Sequence, residues 1–302
     1  MSTPSLLDPT AVRRQFARRA QRIGRADFLL REVERRMLER LDVVRIEPAL
    51  VLDVGCGLGA GAARLAQRYP EARVLGVDVA PPMAVAAARA HGRPARHSLA
   101  RRLSGWFGAS ARTAGRRAPL FACADTARLP LRDGGVDLVW SNLAWHWFAD
   151  PLAVLGEWQR VIRPGGLVAF TTFGADSLTA LARAGARLPP LPDLHDVGDQ
   201  LLAAGFANPV VDAERLAVTW TSPQDLLDDL RALGGNALRS RARGLAGRAA
   251  RARWLEALER LRGDDGRIAL DFELVHGHAW CPSPKPRRDG WSPVRIVPRG
   301  VR

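Results

Sequence analysis

The chain has 302 residues, is 47% hydrophobic and carries a formal charge of +14, from 45 basic against 31 acidic side chains. No stretch approaches the ~20 consecutive apolar residues of a membrane span, no apolar run suggests a secretory signal, and three scattered cysteines, Cys56, Cys123 and Cys281, argue against a disulfide framework and for the reducing cytoplasm. The charge favours acidic partners (nucleic acid, anionic membrane or acidic protein) without choosing among them, and with lysine almost absent, high genomic GC content also inflates the arginine count.

The Arg-rich N-terminus reads as a solvated amphipathic helix. In residues 27–44, Leu30, Val33, Met37, Leu41 and Val44 recur three or four apart, the stripe of an amphipathic helix. "ALVLDV" (49–54) is an unbroken apolar strand, the pattern of one covered on both faces. After a glycine loop come helix-like "AARLAQRYP", the strand "ARVLGVD" ending at Asp78, and a helix opened by two prolines, "PPMAVAAARA". Residues 91–118 hold seven arginines and no acid, and interrupt the β-α rhythm as an inserted loop. The rhythm resumes with the strands "PLFACAD" and "VDLVWSN", the helix "PLAVLGEWQRVI", a turn at "RPGG" and the strand "LVAFTT". Further on, "HDVGDQLLAAGF" reads as helix and "NPVVDAERLAVTW" as strand. "SPQDLLDDLRALGG" is a helix with a Ser-Pro start and a glycine stop, residues 238–262 are an Arg-rich helical stretch, and "RIALDFELVHGHAW" is a late strand. The Pro- and Arg-rich end is expected to be disordered. The alternation predicts an α/β fold, a mostly parallel sheet with helices on both faces.

The stretch "VLDVGCGLGA" (51–60) carries the chemistry. Gly55, Gly57 and Gly59 close a strand and open a helix, so backbone can approach a ligand closely. Gly55, Gly57 and Ala60 also satisfy the dinucleotide pattern, so the loop alone does not choose a cofactor. Asp78, 25 residues after Asp53, suits ribose hydroxyls, which NAD and S-adenosylmethionine share. Asp53 tips the balance: a carboxylate at the strand end would repel a pyrophosphate and suits the ammonium of a methionine moiety.

These motifs, with "CADTARLPL", "VDLVWSNLAWHW" and "VIRPGGLVAFTTFG" in order over about residues 50–174, resemble class I S-adenosylmethionine-dependent methyltransferases. The resemblance implies a Rossmann-like fold with a helical cap. It also implies cofactor contacts at Asp53, Gly55, Cys56 and Gly57 on the methionine side, Asp78 at the ribose, Met83 on the following helix, Asp125 and Thr126 at the adenine, and Asn142 facing the methyl group. Over about residues 10–280, "SNLAWHWFADP", "IRPGG", "AFTTFGADSL", "LLDDLRALGGNAL" and "FELVHGHAW" resemble the malonyl-[acyl-carrier protein] O-methyltransferases of biotin synthesis. A sister group of respiratory complex I assembly factors, which hydroxylate an arginine, shares these motifs.

For the methyltransferase, the resemblance implies a malonyl-acyl carrier protein as substrate and partner, its acidic surface docking on the Arg-rich segments. Asn142, His146 and Arg231 are the expected catalytic residues: Arg231 to hold the substrate carboxylate, and His146 to orient the acceptor between the pocket walls Trp145 and Trp147. Strand alternation would turn His146 away from one or both tryptophans. His278 is expected to be structural. No two-His-one-carboxylate spacing points to the hydroxylase and no metal site is expected. An RNA-modifying enzyme fits the charge but finds no RNA-binding motif, and a non-catalytic assembly protein is the remaining alternative. The expected organisation is an N-terminal helical region (1–48), a cofactor-binding core (49–174, with the 91–118 insertion), a part completing the sheet and capping the substrate (175–280) and a tail (281–302).

Overall fold

The computed structural model describes residues 6–20, 22–92, 117–241 and 247–283. The expected insertion and tail lie, apart from residues 91–92, 117–118 and 281–283, outside them. The helices are α1 (Pro9–Arg19), α2 (Asp27–Arg40), α3 (Ala60–Arg68), α4 (Pro81–His91), α5 (Pro151–Val161), α6 (Thr179–Arg183), α7 (Leu194–Ala203), α8 (Pro223–Leu233) and α9 (Arg248–Glu259). The strands are β1 (Leu50–Val54), β2 (Arg73–Asp78), β3 (Leu120–Cys123), β4 (Val136–Ser141), β5 (Ile162–Phe173), β6 (Ala207–Trp220) and β7 (Ile268–Trp280).

They form one sheet in the order β3-β2-β1-β4-β5-β7-β6, parallel except for β7, which runs antiparallel to both of its neighbours. β1 lies between β2 and β4, with Leu52 beside Leu75 and Val139. Side-chain alternation sends Leu52, Val54 and Val139 to one face, where they pack on Val154, Leu155 and Trp158 of α5 and Val197 and Leu201 of α7. Val51, Leu138 and Trp140 go to the other face, against Met37 of α2 and Leu65 and Ala66 of α3. A third cluster joins Leu29 and Val33 of α2 to Leu226, Leu258 and the outer half of β7, from Ile268 to Leu274, as a helical cap.

Two features depart from the sequence reading. "RPGG" is not a free turn. β5 starts at Ile162, directly after α5, and residues 163–166 bulge out between the pairs Val136–Ile162 and Leu138–Leu167. Gly165 and Gly166 then exchange backbone hydrogen bonds with Cys281 just beyond β7, both 2.8 Å long. The N-terminal helix is not merely solvated. Asp8 caps α1 by accepting from Thr10 and Ala11, pairs with Arg241, and helps tie α1 to the segment that follows α8.

Asp137 locks the start of the central strands. Its Oδ2 accepts from the backbone N–H groups of Ala49 and Leu50 at 2.9 and 2.7 Å, and its Oδ1 from Arg163. Burial alone would raise its pKa, but these donors outweigh that effect and hold the carboxyl below its ordinary value. Asp137→Ala should therefore lower stability by about 2 kcal/mol, read as a lower urea midpoint at unchanged slope.

Candidate functional site

The glycine loop leaves β1 at the point where the sheet order reverses, between β1 and β4, the usual ligand crevice of an open α/β sheet. Gly55 and Cys56 both donate to the carbonyl of Val77, at 2.9 and 3.0 Å, which pins the loop to the end of β2. Gly55 has φ +73°, and a Cβ there would stand 2.7 Å from that of Ala144, so neither backbone nor space admits a larger residue. Gly57 has φ +51°, and a Cβ on it would meet nothing within 4 Å: its open side belongs to the wall of a cavity of about 330 Å³. That is a volume fit for a small-molecule site.

One end of the cavity is lined with acids. Asp53 is only 3% exposed, and its Oδ2 has no hydrogen-bond partner. Burial raises its pKa well above the carboxylate range, and the nearby Glu34 and Asp78 add to the shift. Asp78 accepts from the N–H of Gly57 at 3.0 Å and of Ala80 at 2.8 Å, and burial nonetheless raises its pKa. Asp125, exposed at the cavity edge beside Thr126, shapes its turn by accepting from Ala127. Asn142 is held on both sides of its amide: Nδ2 donates to the Leu30 carbonyl at 3.1 Å, and Oδ1 accepts from Thr171 at 2.7 Å. Much of the remaining wall is apolar, formed by Val12 and Phe16 of α1, Leu30 of α2, Trp147, Phe148 and Leu233.

Thus Asp53, Gly55, Cys56, Gly57, Asp78, Asp125, Thr126 and Asn142 share one cavity. Three expected residues lie off its wall. Met83 is buried under the loop with Ile23 and Ala80, because the proline-opened α4 turns that position inward. Arg231 sits on the outer side of α8, more than half exposed, 3.2 Å from Asp228. His146 falls in a 3-10 turn, Trp145–Trp147, where its ring packs against Phe173 with Nδ1 3.4 Å from Thr172 Oγ1. Burial pulls the His146 pKa down to about 3, so the ring stays neutral and faces no solvent. The same turn puts Trp145 in the core against Trp158 and Phe170, leaving Trp147 as the pocket wall, in an edge-on contact with Phe16.

Glu34 was not singled out in the sequence, yet it lines the acidic end at 3% exposure. The signal was available: Glu34 lies four residues after Leu30 and three before Met37, an acid on the apolar stripe. Burial lifts its carboxyl to about 7, against the pull of Arg64. Among the described residues no three His, Cys, Asp or Glu side chains are placed to hold a metal ion, and no helix is long and apolar enough to cross a membrane.

The acceptor set fits S-adenosylmethionine: carboxylates for an ammonium and two ribose hydroxyls and, among the described residues, no cationic side chain on the wall to receive a pyrophosphate. Comparison with known proteins agrees. A methyltransferase-domain family model matches residues 52–170. The malonyl-[acyl-carrier protein] O-methyltransferase of Laribacter hongkongensis is 44% identical, over 93% of this chain and 92% of that protein. That of Gallionella capsiferriformans is 40% identical, over 94% and 95%. Among solved structures, a putative methyltransferase from Bacillus halodurans aligns with a TM-score of 0.55 at 15% identity, over 83% of this chain and 99% of that one. The phosphoethanolamine N-methyltransferase 2 of Haemonchus contortus in complex with S-adenosyl-L-methionine gives 0.53 at 18%, over 87% and 57%, a likeness of fold.

The buried acids make a prediction about the free protein. Raised carboxyl pKa values mean that the folded state keeps protons that the unfolded chain releases. The contribution of these three groups should therefore be most favourable below the ordinary carboxylate values and fall as the pH rises, the Glu34 part of the loss ending near 7. Asp53→Asn should raise the unfolding free energy of the ligand-free protein by about 1–3 kcal/mol at about pH 8 and change it little at about pH 4. Urea titrations at the two pH values check this.

Proposed function

The chain belongs to the malonyl-[acyl-carrier protein] O-methyltransferase family, and from that premise we propose that it methylates the free carboxylate of a malonyl-acyl carrier protein. The observation that carries the cofactor half of this reading is Asp53: a buried carboxylate with an unpartnered oxygen, at the mouth of an open glycine loop. When bound, S-adenosylmethionine supplies a methyl group activated by a sulfonium. Asp53 and the loop would hold its methionine portion, Asp78 the ribose and Asp125 with Thr126 the adenine. Asn142, fixed by Leu30 and Thr171, presents a rigid edge at the end of β4. The product is a methyl ester whose lost charge resembles the apolar end of an ordinary acyl chain.

The acceptor carboxylate is already ionised at neutral pH, so no general base is needed. Alignment of donor and acceptor supplies much of the rate, up to roughly 7–11 kcal/mol in favourable models. Phe16, Leu30, Trp147 and Phe148 would exclude water along the reaction path. His146, neutral and off the wall, acts in this reading by positioning Trp147.

A cation would hold the acceptor, and among the described residues no arginine or lysine is on the wall. Arg19, also off the wall but partly buried beside it, suits that role better than the exposed Arg231. Its Nη1 is buried with no hydrogen-bond partner, and burial lowers its pKa to about 10. It packs against Gly235, next to the contact of Gly234 with Trp147. The carrier would dock on arginines of the segment 91–118 and of α9, where Arg248 and Arg253 are exposed. A cytoplasmic setting belongs to the same proposal.

Mass spectrometry of malonyl-acyl carrier protein after incubation with the enzyme and S-adenosylmethionine should show a gain of one methylene mass, abolished by Asp53→Ala; no gain despite cofactor binding would overturn the substrate assignment. In the same assay, Arg19→Gln should raise the KM for the carrier substrate roughly tenfold or more, while Arg231→Gln leaves it within about twofold.

A further inference from the structure

Three buried polar atoms without a hydrogen-bond partner meet at the acidic end of the cavity: Glu34 Oε1, Asp53 Oδ2 and Trp140 Nε1. They lie 3.5, 3.1 and 3.7 Å from the point where a Cβ on Gly61 would stand. The glycine thus leaves a gap that all three atoms face. Two are acceptors, and the third, an indole N–H, only donates. The arrangement therefore lacks donors, and burying two carboxylates without them is costly. A group with several N–H donors and a positive charge would meet that lack.

The remaining charges around the pair do not supply it. Arg64 of α3 approaches Glu34 through the other oxygen, Oε2, at 3.7 Å, and its side chain stays more than a third exposed. On α2 itself Asp27 and Arg31 pair with each other. From β2, Asp78 adds only negative charge, and its oxygens already accept from Gly57 and Ala80.

We propose that Glu34 is a second anchor for the α-ammonium of the methionine portion of the cofactor, acting across that group from Asp53. The inference rests on the reading that the cavity holds S-adenosylmethionine. It adds a residue from α2, outside the loop motifs, and makes cofactor affinity depend on the packing of that helix beside the glycine loop. It also links binding to pH. Glu34 is raised to about 7, and burial raises Asp53 as well, so near neutrality both carboxyls must lose protons before the ammonium is held well, and Glu34 contributes part of that pH dependence. Affinity should rise from about pH 6 to about pH 7.5, until the ammonium itself begins to deprotonate.

The test is calorimetric titration of the full chain and its Glu34→Gln variant with S-adenosylmethionine and with 5′-methylthioadenosine, which lacks the amino-acid portion. At about pH 7.5 the variant should bind S-adenosylmethionine roughly tenfold or more weakly. Methylthioadenosine should bind within about twofold of wild type, which also shows that the variant is folded. The rise of affinity with pH should flatten in the variant. Equal weakening of both ligands, or unchanged S-adenosylmethionine affinity with an unchanged pH profile, overturns the role of Glu34. Failure of the wild-type chain to bind S-adenosylmethionine overturns the cofactor reading instead, and this inference with it.

Discussion

The structure depends on one arrangement: β1 and β4 lie side by side and parallel, and the chain leaves them toward opposite halves of the sheet. No connection can fill the crevice above that junction, and what comes to its rim decides the chemistry. Gly55 and Cys56 hang from the Val77 carbonyl, Asn142 is clamped between Leu30 and Thr171, and Asp53 points its carboxylate into the gap. β1 can hold this position because it is buried on both faces, and Asp137 fastens its start through two N–H groups.

A cost is built in at the same place. Asp53, Asp78 and Glu34 are buried carboxylates with raised pKa values, and two of them keep an oxygen without a partner. Such groups weaken a fold unless something binds to them. An enzyme that holds a cationic cofactor gains from this, since stability surrendered in the free state returns as affinity when the charge is matched. The pattern stands against a chain whose formal charge is +14. Among the described residues, the cavity wall carries acids and no basic side chain. The acids thus face the cofactor site, within a chain whose net charge is of the opposite sign.

The apolar part of the cavity wall shows how remote segments cooperate. α1 is capped by Asp8, tied by Arg241 and its neighbours to the segment after α8, and brings Val12 and Phe16 over the site. Phe16 meets Trp147 edge-on, and Trp147 fills the space that Gly234 leaves open. Three stretches far apart in sequence thus make one apolar wall.

Much of this was legible in the sequence, because it depends on local pattern. The unbroken apolar strands, the three glycines at alternate positions and the acids closing two strands are short-range features, and they determined the parallel sheet, the loop and the cofactor class. The methyltransferase motifs fell in order because each follows one of the five parallel strands β1 to β5, which succeed one another along the chain. What local pattern does not contain is the direction a side chain takes once elements pack. Met83, His146 and Arg231 each lie within a few residues of the cavity wall, yet helix phase or a 3-10 turn points them away. "RPGG" reads as a turn, but pairing on both sides of β5 absorbs it as a bulge. Glu34 and Arg19 acquire their significance only from burial, and burial is set by what α2 and α1 pack against. The sequence by itself determined which chemistry this chain carries; the tertiary structure decided which side chains reach it, because exposure and unmet hydrogen-bonding capacity belong to the packed assembly and to no segment alone.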